Sequence, residues 1–166
     1  MREEYNMPFY LPKGCRQYFS GIFDEKNKDG TKLKLQFDGY YFCLMAGLTI
    51  GLYSNDAEFE SSELIDHYPG EYLSCKDYIA GLLIATEAKL EGIDDSDEKG
   101  MEQLMVKFID SQSKTSLKIS GENRLNQYAA RGFASMKEHM NGPHINLSSF
   151  LIDYWHYFKE EKFLVD

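Results

Sequence analysis

Between Phe37 and Asn55 the chain reads FDGYYFCLMAGLTIGLYSN, with one charged side chain in the whole stretch. Tyr41, Leu44, Met45 and Leu48 recur at i, i+3, i+4 and i+7. Phe42, Met45, Ala46 and Thr49 repeat that rule a little way round the same helix. Two such stripes describe a helix that is apolar on nearly every face, and such a helix is buried. The spacing predicts it from about Gly39 to Tyr53, with Asp38 as its cap.

Helical periodicity returns four more times. Ser74 opens a helix with Asp77 three positions on, a variant of the capping box, and Tyr78, Ile79, Leu82 and Leu83 give it an apolar face through Leu90. Gly92 and the acidic run DDSDE break the pattern. The next helix is expected over Glu98–Ser111, with Met101, Leu104, Met105 and Phe108 on one side. Gly121 opens another, which Asn141-Gly142-Pro143 stops. Asn146 caps the last, carrying Leu147, Phe150, Leu151, Tyr154, Trp155 and Phe158.

The first part of the chain is less regular. Pro8 and Pro12 disfavour helix in the residues before them. Residues 13–23 fit a short helix or a strand, and DEKNKDGTK is a loop with Asp29-Gly30 as its turn signal. Residues 54–73 read as a polar connector. The pattern predicts an all-α fold: a single compact helical domain of about five helices over 37–166, with an irregular basic N-terminal arm over 1–36, the whole forming one folding unit.

Composition narrows the function. A chain of 166 residues that is 43% hydrophobic can bury a real core. The run Tyr40–Tyr53 is too short to span a bilayer. Met1-Arg2-Glu3-Glu4 does not begin a secretory signal. A cytoplasmic protein with no membrane association is expected. The net charge of −9 opposes binding of nucleic acid through the whole surface. Residues 13–36 differ locally, with Lys13, Arg16, Lys26, Lys28, Lys32 and Lys34 against three acids.

Candidate chemistry is sparse. Cys15, Cys43 and Cys75 have no paired spacing and read as reduced thiols, buried or half-buried. His139 and His144 flank a loop without a third ligand, and Asp153 and His156 sit among aromatics, so no metal and no cofactor are expected. No glycine-rich phosphate cradle is present. Nothing marks a nucleophile, and the chain reads as a non-enzyme. The segment Tyr128-Ala129-Ala130-Arg131-Gly132-Phe133 is more unusual, because a mid-helix glycine costs about 1 kcal/mol relative to alanine. Ala129, Arg131, Gly132 and Phe133 therefore mark a close contact, either between helices of one chain or between subunits.

Three segments in order, FDGYYFCLMAGL, YLSCKDYIAGLLIA and LNQYAARGFASMKEHM, the last followed by a polar gap and Leu-x-x-Phe-Leu, resemble the DndE family across residues 13–152. Its members are small helical accessory proteins of bacterial DNA phosphorothioation systems. The resemblance implies a compact, self-associating helical protein that works beside an SMC-like ATPase or nuclease and nucleic acid. It also implies DNA contact through lysines, a role that falls here to the six basic residues of 13–36. The chain departs from the family by its insertion around 54–73 and by its acidity. The departures favour an accessory subunit in an anti-phage or DNA-modification assembly over a protein that binds DNA alone.

Overall fold

The computed structural model describes residues 8–159. Six α-helices lie among them: α1 Cys15–Phe19, α2 Gln36–Ile50, α3 Lys76–Glu91, α4 Glu98–Phe108, α5 Ile119–His139 and α6 Leu147–Lys159. The described residues contain no extended strand, only isolated bridges. None of their helices is long and apolar enough to cross a membrane.

The helix that is apolar all round, α2, is the hub. Tyr40, Cys43, Leu44 and Ala46 are fully buried. Its neighbours surround it. Phe37 and Tyr40 meet Phe9 at 5.5 and 5.4 Å between ring centroids. Phe42 meets both Phe150 and Tyr154 of α6 at 5.0 Å. Tyr41 packs on Tyr72 at 5.2 Å. The most extensive neighbour is α5, which lies along the remaining face.

The α2–α5 seam is set by two glycines. A Cβ at Gly132 would overlap the Cys43 carbonyl, and one at Gly47 would overlap the Tyr128 carbonyl. Each helix thus presses its backbone into the gap left by the other's missing side chain.

Helix boundaries differ from the sequence reading for identifiable reasons. Helix α2 begins a turn early, at Gln36, because Asp38 is its third residue rather than its cap; its carboxylate accepts from the Leu35 N–H at 3.0 Å. A 3₁₀ turn over Gly70–Cys75 precedes α3, which starts at Lys76, and Asp77 accepts from the Ser116 hydroxyl at 2.7 Å instead of capping. Helix α4 is capped by Asp97, whose side chain accepts from the Gly100 N–H at 2.9 Å. It stops at Phe108 because Ile109 is extended and bridges Leu117. Helix α5 opens at Ile119, two residues before Gly121. Asn146 does cap α6, accepting from the Ser149 N–H at 3.2 Å.

The expected N-terminal arm is, over its described residues, a wall of the core. Phe9, Leu11, Cys15, Tyr18, Phe19 and Ile22 are all buried. The inward alternation of Phe9 and Leu11 comes from extended backbone that pairs with the connector. The Phe9 N–H donates to Ile65 O at 2.7 Å, and the Glu60 N–H to Leu11 O at 2.8 Å. The connector thus supplies backbone partners for the prolines' neighbourhood, where no helix forms. Residues 1–7 of the arm and 160–166 of the helical domain lie outside the described residues.

Candidate functional site

The basic residues of 13–36 do not form one cluster of equivalent cations. Lys13 meets Glu58 at 3.1 Å, with both side chains mostly exposed, a contact of small energetic weight. Arg16 is exposed on α1. Lys32 is committed to structure: its ammonium donates to Gly21 O at 2.5 Å and to Ile145 O at 3.2 Å, tying the loop to the turn before α6. Lys26, Lys28 and Lys34 remain exposed.

The loop that carries Lys26 and Lys28 is braced by short polar side chains. Asp29 Oδ1 accepts from the Thr31 hydroxyl at 2.6 Å, the Thr31 N–H at 3.0 Å and Asn27 Nδ2 at 2.8 Å. Asn27 Oδ1 accepts from the Gly30 N–H at 3.0 Å. These bonds, Thr31's foremost, hold the Asp29 carboxyl below its usual range. The result is a fixed turn that presents two lysines outward.

The small-residue segment of α5 is an internal helix contact. Ala129, Gly132 and Phe133 are buried within the chain, so these three do not form a surface for another subunit. Arg131 alone of the four is exposed, at the edge of a cleft between α2, α3 and α5.

Buried polar groups form separate clusters. Glu87, 1% exposed, accepts from Arg124 at 2.7 and 2.8 Å and from the Tyr128 hydroxyl at 2.8 Å. Burial first, and then Glu87, push the Tyr128 hydroxyl well above its ordinary pKa. Asn126 Oδ1 accepts from the Tyr40 hydroxyl at 2.9 Å, and Asn126 Nδ2 donates to Pro8 O at 3.2 Å, fastening the N-terminal segment to α5. His144 Nε2 lies 2.6 Å from Asp153 Oδ2. A carboxylate that orients an imidazole suits acid–base work. Here, however, the His144 ring is buried beside Tyr18 and Phe150. Among the described residues no three His, Cys, Asp or Glu side chains gather as metal ligands.

The surface feature that stands apart is the outer face of α6. Leu151, Ile152 and Trp155 are 43, 56 and 62% exposed, and Ile145, in the turn leading into the helix, is 84% exposed. The inner face is formed by Phe150 and Tyr157, both buried, and by Tyr154, whose hydroxyl donates to Phe42 O at 2.9 Å. Apolar character alone groups Leu151 and Trp155 with the inner residues. The stripe Ser148-Leu151-Ile152-Trp155 is the signal that sets them apart.

No family model, characterised protein or solved structure matches this chain.

Proposed function

We propose that the chain is a non-enzymatic helical subunit that docks on a larger protein through the outer face of α6. The observation that carries this reading is the exposure of Trp155, Ile152 and Leu151 on one side of a helix whose other side is already satisfied by the core. A contiguous exposed apolar patch marks an interaction site, and tryptophan is among the residues that most often anchor one. The Glu87 and Asn126 clusters support the same reading, since their hydrogen bonds join separate segments and serve packing. The resemblance of the helical segments to DndE proteins supplies the setting: a cytoplasmic bacterial assembly for anti-phage defence or DNA modification, with an SMC-like ATPase or nuclease as the larger partner.

The test is co-purification with the products of neighbouring genes, with each captured protein identified by mass. Wild-type chain is expected to retain one large partner, and Ile152→Glu with Trp155→Ser to lose it while melting at an unchanged temperature. Retention by that variant removes α6 from the interface. Loss of self-association instead assigns the face to a second copy of the chain.

A second reading, direct DNA contact, has one observation in its favour. The braced turn of Asn27, Asp29 and Thr31 holds Lys26 and Lys28 outward at little further entropic cost.

A further inference from the structure

A cleft lies at the C-terminal ends of α2 and α3 and the second half of α5. Its lining sets the aliphatic Leu48, Leu52 and Leu90 beside the hydroxyl side chains Thr49, Thr86 and Ser135. Its rim carries Lys89, Arg131 and His139, with Glu138 the one acid among its lining residues. The protein as a whole has a net charge of −9, so this local balance runs against the overall field. Among the described residues neither Lys89 nor Arg131 meets a carboxylate within ion-pair distance. Lys89 and His139 stand in the last turns of their helices, where the macrodipole favours a cation. Arg131 is in the body of α5, and the macrodipole gives no account of it.

We infer that this cleft receives an acidic amphipathic segment of a partner protein, its apolar side chains on Leu48, Leu52 and Leu90 and its carboxylates on Arg131 and Lys89. Arginine presents a planar fork suited to carboxylates, and leucines interspersed with unpaired Arg131 and Lys89 match a peptide that alternates the two chemistries. Nucleic acid fits less well, because single strands are held on aromatic platforms and no Phe, Tyr or Trp is among the cleft's lining residues. The cleft is a different face from the outer side of α6, so its failure leaves that reading standing.

The experiment titrates the full chain into a labelled peptide of glutamate pairs alternating with leucine and phenylalanine. A twin peptide with lysine at every glutamate is the control. The acidic peptide is expected to bind, more tightly at low salt, and its twin not to bind. Arg131→Glu with Lys89→Glu is expected to weaken binding by about tenfold or more through like-charge repulsion. Both positions are exposed, so the variant should stay folded, its melt lowered only slightly by the lost interaction of Lys89 with the α3 dipole. Equal binding of the two peptides, binding of neither, or an unchanged affinity in the double variant overturns the inference. So does preferential binding of single-stranded DNA that the same variant abolishes. Binding that appears only after residues 160–166 are removed assigns the cleft to the chain's own segment and overturns a partner's claim on it.

Discussion

Both carboxylate oxygens of Glu87 accept from a single nitrogen of Arg124, at 2.7 and 2.8 Å, joining α3 to α5 across the core's edge. Glu87 is almost wholly enclosed, while Arg124 Cζ lies over the Tyr53 ring, 3.8 Å from its centroid. Arginine is suited to this place because its guanidinium bonds in its plane and stacks through its face.

Removing one partner should therefore cost more than removing both. Arg124→Met leaves a buried carboxylate with the Tyr128 hydroxyl still donating to it, and a loss of about 3–5 kcal/mol is expected. Glu87→Gln combined with Arg124→Met should recover a large part of that loss. Denaturant unfolding of the two single variants and the double closes the cycle. Additive losses would show that the two residues do not act as a pair.

The α2–α5 seam gives the second prediction. Gly132→Ala places a methyl group against the Cys43 carbonyl, where no flexible side chain is available to move. Overpacking of this kind costs about 1–3 kcal/mol. Gly47→Ala should do the same from the opposite helix, against the Tyr128 carbonyl. Thermal melts should fall for both while the chain's assembly state stays the same, since the contact is internal. A change in subunit number with an unchanged melt would return the segment to a subunit interface.

One half of the seam is legible in the sequence, because the mid-helix Gly132 carries its own local cost and marks a close contact; Gly47 and the partner helix are not. The burial of α2 is legible too, since its two apolar stripes leave it no solvent face. The N-terminal segment is not. Its partner is backbone in a connector about fifty residues away, and the run Pro8–Pro12 says extended without saying against what. Lys32 shows the same limit. Nothing local separates it from Lys34, and its two carbonyl acceptors are brought to it by the fold, one of them from the far end of the chain. On α6 the residues of both faces are apolar, so hydrophobicity alone joins Trp155 to the core that Phe150 occupies.

Thiol chemistry provides the third prediction. The Cys15 and Cys43 sulfurs lie 3.7 Å apart, both fully buried and both reduced. Burial, with Cys15 alongside, pushes the Cys43 thiol well above its ordinary pKa and so away from the reactive thiolate. Cys75 is only half-buried. Maleimide under native conditions should modify Cys75 first, and Cys15 and Cys43 only once the chain unfolds. Peptide mapping by mass spectrometry after timed quenching reads the order. Early labelling of Cys43 would show that α1 lifts from α2 in the native state.

The last prediction separates the lysines. Counterion release makes the logarithm of DNA affinity fall with the logarithm of salt by about 0.9 for each phosphate neutralised. Four equivalent lysines at 26, 28, 32 and 34 would give a slope near −3.6 on that rule. With Lys32 bound to Gly21 O and Ile145 O, three remain, and the slope falls to about −2.7. So shallow a slope means weak binding by the isolated chain at physiological salt, where the charges of the acidic remainder are screened only beyond about 8 Å. DNA contact is accordingly expected only where a partner brings the duplex near. Replacing Lys26, Lys28 and Lys34 with glutamate should then weaken duplex binding by the assembled complex and leave the melting temperature unchanged. Lys32→Met should do the reverse, lowering the melt because two carbonyls lose their donor while the DNA titration stays the same. Fluorescent-duplex titrations paired with thermal melts distinguish the two. If Lys32→Met abolishes DNA binding at an unchanged melt, Lys32 is a phosphate ligand and its carbonyl contacts are incidental. If the triple replacement leaves the complex's affinity intact, the loop has no part in holding DNA.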